Sequence, residues 1–140
     1  MTFPWVDYLT VAEALVQQRS TFAPEEACCR ASISRAYYAV FCAARNYAVA
    51  AEGLQLGGTG GDHQQVQRHF QHGPRPEHRT LGTTLARLRR ARNRADYANT
   101  MSQVVRQAQE AVEHARRGFG ALEALQLTVR PNLEVNPELR

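Results

Sequence analysis

Apolar residues in this chain recur at three- and four-residue spacing, and no stretch alternates apolar with polar in the two-residue rhythm of a strand. Pro4 suits a first-turn position, and the helix it opens is expected to run to about Arg19, with Val6, Leu9, Ala12 and Val16 near one face. Pro24, followed by Glu25 and Glu26 at the positive end of the helix dipole, starts the longest segment. There Ile33, Tyr37, Val40, Phe41, Ala44, Tyr47, Ala48 and Ala51 form an aromatic-rich stripe that ends at Gly53. Residues 53–62, GLQLGGTGGD, hold five glycines, a density that neither helix nor strand tolerates, so they read as a loop.

A short helix is expected from about His63 to Gln71, ended by GPRP at 73–76. Thr80 is a candidate cap for the next helix, whose apolar row is the narrow set Leu81, Leu85 and Leu88. After Asn99 and Thr100 a further helix is expected from near Ser102 to about Leu125, turning Val105, Ala108, Val112, Ala115, Phe119 and Leu122 inward. Residues 128–140, TVRPNLEVNPELR, read as an extended or frayed tail. The pattern predicts an all-α fold over residues 1–127: an antiparallel up-down bundle of four main helices plus one short helix, without internal repeat or second domain.

The length of 140 residues supports one domain with a real core. All 17 basic side chains are arginine, each a planar guanidinium suited to bidentate contact with carboxylate or phosphate. A net charge of +4 permits an anionic partner without requiring one. Cys28, Cys29 and Cys42 lack metal-site spacing and read as small buried side chains in a reducing cytoplasm. The N-terminus has no basic start, and Asp7 and Glu13 interrupt its apolar residues, so it does not read as a signal peptide. The longest apolar run, YYAVFCAA at 37–44, is too short to span a bilayer. A cytoplasmic protein without membrane attachment is expected.

The stretch RARNRADY at 90–97 concentrates the candidate chemistry. At about 100° per residue, Arg87, Arg90 and Arg94 oppose the leucine row and form a solvated face. Arg92 lies four residues beyond Leu88 and prolongs the apolar row, where an unpaired guanidinium is costly to bury. Asp96 is its nearest candidate partner, and Ser34, Arg35 and Tyr38 on the flank of the aromatic stripe are others. One arrangement is an interhelical clasp, Arg35 to Asp96 and Ser34 or Tyr38 to Arg92. The other is a cleft in which arginines meet a phosphate.

SRAYYAVFCAARN at 34–46, a Gly-rich loop, a short helix containing His63, and LRRARNRADYAN at 88–99 together resemble the HEPN domain family, in its small stand-alone prokaryotic members. The resemblance covers roughly residues 5–125. It implies an all-α bundle that dimerises, found in toxin–antitoxin or defence systems and often encoded beside a minimal nucleotidyltransferase. Many members are metal-independent ribonucleases built on Arg-x(4–6)-His, with the site completed across the dimer. It maps Arg92, Asn93, Asp96 and Tyr97 onto one family motif and Ser34, Arg35 and Tyr38 onto the facing one.

The motif is broken here: Tyr97 stands where the histidine is often found, and 89–101 contains no histidine. Tyrosine titrates near 10 when unperturbed and is a poor general base at neutral pH, which argues against catalysis. The expected function is thus an interaction module, a homodimer that binds RNA or a nucleotidyltransferase partner through the Arg92, Asp96 and Tyr97 region. Two alternatives stand beside it. One is a metal-independent ribonuclease using the Arg-x4-Tyr variant, with Arg92, Tyr97 and a distant histidine such as His63. The other is a structural helical adaptor without an anion site.

Other chemistries find little support. No glutamate lies three residues before any of His63, His69, His72, His78 or His114, so a di-metal bundle site is not expected and the histidines read as exposed and loop-flanking. The Gly-rich loop lacks Gly-Lys-Ser/Thr and follows no strand, so no phosphate-cradling loop is expected, and no cofactor with it. Cys42, placed in mid-helix with no activating neighbour in view, reads as packing. Phe3, Trp5 and Tyr8 read as docking the first helix or as part of a subunit interface.

Overall fold

The computed structural model describes the backbone of residues 2–135 and the side chains of residues 2–128. Five helices follow one another: α1 (Val6–Gln17), α2 (Glu25–Glu52), α3 (Asp62–Gln71), α4 (Pro76–Tyr97) and α5 (Val104–Val135). The fold is an all-α bundle, and among the described residues there is no strand. Among the described residues no helix is long and apolar enough to cross a membrane.

The spine is α2, which packs against each of the other four helices. Its expected stripe is buried except for Ala51, and Cys28, Cys29, Ser32, Ala36 and Ala39 extend the buried surface around the helix. Small side chains on those added positions let the neighbouring helices approach closely. Gly53 ends α2 at φ 71°, the left-handed conformation that glycine adopts without a Cβ clash, and the Leu54 N–H turns back to the Ala48 carbonyl.

Contacts at both ends fix the helix directions. At one end of α2, Arg30 Nη1 donates to the carbonyls of Ala95 and Ala98 at the close of α4; at the other, Glu52 meets His78 in the first turns of α4. These two helices are therefore antiparallel. The same holds for α1 and α2, since the Ser32 hydroxyl donates to Ala12 O at 2.7 Å while Arg45 lies over the Trp5 ring. It holds also for α4 and α5, where Arg94 shares a groove with Gln107 and Arg75 reaches Thr128. Short α3 lies across the C-terminal half of α2 and the start of α4, burying Val66 and Phe70.

Several boundaries differ from expectation. Thr80 does not cap α4, which begins earlier, with Pro76 in its first turn; proline has no N–H to leave unpaired there and its φ is already helical. Val6 belongs to α1 but is 47% exposed, so Leu9, Ala12 and Val16 alone face inward. In α5, Val105 and Phe119 are only half-buried, and Ala111, Gly118 and Ala121 take part in the contact instead. That helix also continues past Leu125 to Val135, so the tail expected from Thr128 is helical as far as it is described, and residues 136–140 lie outside the described residues.

Candidate functional site

The cleft of interest lies between the start of α1, the middle of α2 and the end of α4. It is open, about 340 Å³, and lined by Trp5, Tyr8, Ser34, Arg35, Tyr38, Cys42, Arg92 and Asp96. Five of the seven residues singled out in the sequence thus meet at one place. Asn93 and Tyr97 touch Arg92 from outside the lining: Asn93 accepts from Arg92 Nη1 at 3.1 Å, and the 73% exposed Tyr97 has its ring 5.6 Å from the guanidinium carbon.

Inside the cleft Arg92 does pair with Asp96, its nearest candidate, but the interhelical clasp is not the expected one, since Ser34 goes to Asp96 rather than to Arg92. Asp96 Oδ2 lies 2.8 Å from Arg92 Nε and 3.5 Å from the Ser34 hydroxyl, which donates to it, while Arg35 makes no bond to Asp96. The Arg92 Nε–H does not point at Oδ2, so their contact is an ion pair rather than an aligned hydrogen bond. Arg35 instead lies with its guanidinium 4.9 Å from the Tyr8 ring centre and 5.4 Å from that of Tyr38. Arg92 lies 5.2 Å from the same Tyr38 ring. Both cations are thus held against aromatic rings, with the edge N–H groups of Arg35 left free to bond while Arg92 gives Nη1 to Asn93 and pairs with Asp96. Arg35 is half-buried and donates no hydrogen bond to any described residue.

Beside the cleft, tertiary structure supplies the histidine that RARNRADY lacks. His63, at the start of α3, stacks on Phe41 with ring centres 4.1 Å apart and edges onto Tyr38 at 6.1 Å. Its Nδ1 is hydrogen-bonded to the Tyr37 hydroxyl at 2.5 Å. Burial, then the nearby Arg89 and Arg92 charges, holds its pKa below the usual histidine value, so the imidazole is neutral at pH 7. Burial likewise pushes the Tyr37 phenol above its ordinary range.

Cys42 does have cations near it, Arg35 and Arg45, but burial outweighs them and raises its pKa, so the thiol stays protonated. All three cysteines are free and buried.

A second polar cluster was not legible in the sequence. The Glu52 carboxylate at the end of α2 accepts from His69 Nε2 on α3 and His78 Nε2 on α4, both at 2.7 Å, and from the Tyr47 hydroxyl at 3.1 Å. Burial alone would raise the Glu52 pKa, but the two histidine hydrogen bonds and that from Tyr47 together hold it below the usual value. His78 is buried and His63, His69 and His114 are half-buried, so of the five histidines only His72 fits the expectation of exposure. Among the described residues no group of three or more His, Cys, Asp or Glu is arranged to hold a metal ion.

Trp5, Tyr8 and Cys42 line the cleft without having been assigned to the site by sequence reasoning, and His63, named there only as a distant histidine for the ribonuclease alternative, lies beside it. Phe3, Trp5 and Tyr8 form an edge-to-face cluster with ring centres 4.8 to 5.5 Å apart, and it is this cluster that seats Tyr8 against Arg35. The aromatic residues near the start were the available signal. No family model, curated protein or solved structure matches the chain.

Proposed function

We propose that this chain is a HEPN-type module that binds single-stranded RNA in the α1/α2/α4 cleft, with a phosphate on the edges of Arg35 and Arg92 and a base against the Trp5 and Tyr8 rings. The observation that carries the reading is Arg35: a half-buried guanidinium stacked between two tyrosines, with its donors uncommitted to any described residue. A structural clasp would commit these donors to a carboxylate or carbonyl, whereas here they stay open to solvent and to an incoming anion. Interleaved arginine and aromatic side chains on an open cleft are the chemistry that single-stranded nucleic acid calls for, phosphate on the cation and base on the ring.

Anisotropy of a fluorescein-labelled single-stranded RNA tests it. Arg35→Gln should weaken binding about tenfold or more, the scale of one lost charged hydrogen bond, with the helical circular dichroism unchanged. Arg35→Lys should restore part of the loss. Unchanged affinity in Arg35→Gln overturns the reading.

His63 favours a second reading, in which bound RNA is also cut without metal. A neutral imidazole beside two arginines supplies the general base that tyrosine at position 97 does not. RNA cleavage in EDTA that disappears in both His63→Gln and Arg92→Gln supports it; RNA left intact by the wild-type protein in EDTA removes it.

A further inference from the structure

The helix that carries Arg92 toward the cleft has a second arginine face, turned the other way. Arg87, Arg90 and Arg94 follow one another along α4 at intervals of three and four residues, so their Cα atoms rise by about 4.5 and 6 Å along the axis. All are exposed. They line one wall of a groove of about 370 Å³ whose other wall is α5, with Gln107, Glu110, Ala111 and His114. A neighbouring groove of about 410 Å³ continues it toward the start of α4, sharing Arg87 and His114 and adding Arg117 and Arg79.

Most other arginines of the described residues are engaged: Arg19, Arg30, Arg75, Arg106 and Arg116 pair with carboxylates, and Arg35, Arg45 and Arg92 lie against aromatic rings. Arg87, Arg90, Arg94 and Arg117 have no carboxylate within ion-pair distance among the described residues. The one acid in these grooves, Glu110, is already paired with Arg106 at 3.1 Å. His114 senses the surplus: burial first, then Arg87 and Arg117, lowers its pKa against the opposing pull of Glu110 and Glu113. Four cations have been gathered on one face while carboxylates were spent elsewhere.

We infer that the α4/α5 arginine ridge is a track for the phosphodiester backbone of RNA, distinct from the Arg35/Arg92 cleft on the opposite side of α4; the ligand class rests on the RNA reading above. The choice of RNA over an acidic protein follows from what the ridge lacks. A protein interface needs an apolar centre, and none of the exposed large apolar side chains, Phe3, Val6, Val11, Phe22, Val49, Tyr97 and Leu127, lines either groove. A regular row of guanidiniums with no apolar centre matches a regular row of phosphates.

The test compares the full chain with R87Q/R90Q/R94Q, with R35Q/R92Q, and with the charge-matched control R19Q/R106Q/R116Q, whose arginines are all already paired. Binding of a labelled single-stranded RNA is followed from 50 to 300 mM salt, with circular dichroism to verify that each variant is folded. Each phosphate contact contributes about 0.7 to the slope of log K against log salt for a single strand. The ridge variant should therefore lose about two units of slope, and the control close to none. An NMR titration should also show the His114 pKa moving up toward its ordinary value as RNA neutralises Arg87. A ridge variant that keeps the wild-type slope while R35Q/R92Q loses affinity overturns the ridge and leaves the cleft reading standing. Equal loss in the control shows a mere net-charge effect and also overturns it. If R35Q/R92Q binds like wild type while the ridge variant does not, the cleft reading fails and the ridge survives. Wild-type protein that binds polyglutamate but not RNA overturns both.

Discussion

The hydroxyl of Tyr37 on α2 and Nδ1 of His63 on α3 lie 2.5 Å apart, and this bond ties the short helix to the spine beside the arginine cleft. The folded chain holds His63 below its ordinary pKa through burial and then Arg89 and Arg92, and His114 likewise through burial and then Arg87 and Arg117. Unfolded histidine takes up a proton near pH 6.5, before either folded imidazole does. Stability should therefore be full above about pH 6.5 and decline as the pH falls from there toward the lower folded values. Urea unfolding at intervals between pH 8 and pH 5 checks the sign. The His63→Gln/His114→Gln double variant should show a shallower decline than wild type.

Glu52 is the single acceptor for His69, His78 and Tyr47. Glutamine at this position keeps one acceptor oxygen and turns an NH2 group toward the other histidine, leaving a buried donor unsatisfied. Glu52→Gln should cost about 1–3 kcal/mol in urea unfolding. Because the folded carboxyl titrates below its usual value, its stabilisation is present above about pH 4.3 and is lost as the pH falls through the folded pKa. The acid limb of the stability curve should flatten in the variant.

Gly82 lets α3 and α4 touch. A Cβ there would lie 2.5 Å from the Gln71 backbone nitrogen and 2.8 Å from its Cα, atoms that cannot rotate away. Gly82→Ala gains helix propensity of about 1 kcal/mol, yet forcing the helices apart should cost more, leaving the variant about 1–3 kcal/mol less stable. A thermal or urea midpoint equal to or above wild type would refute the close contact.

Arg30 holds the end of α4. Its Nη1 donates to Ala95 O at 3.0 Å and Ala98 O at 2.6 Å, satisfying carbonyls that the helix leaves open and placing a cation at the negative end of its dipole. Arg30→Ala should lower stability by about 1–2 kcal/mol. Hydrogen exchange should speed up first in 94–98, next to the cleft residue Asp96.

The helices themselves could be read from the chain because each signal is local. Pro24 and Gly53 bound α2 as written, and the stripe from Ile33 to Ala48 is buried. The exposed row Arg87, Arg90 and Arg94 follows from helical spacing alone. Where the reading slipped, two local rules competed: Thr80 is a good cap, but Pro76 four residues earlier is a good first-turn residue and α4 begins there.

Spacing along the chain established five helices, a buried stripe, two faces on α4 and the set of polar residues that gather near Arg92, since helical periodicity depends only on neighbours a few positions away. Folding in three dimensions chose the partners. Beyond its pair with Arg92 on the same helix, Asp96 took Ser34 of α2, Arg35 went to two tyrosines, and His63 and Glu52 to clusters that join residues up to 26 positions apart. Such choices turn on the crossing of helices and the distance between their axes, and no periodicity in one helix encodes the position of another.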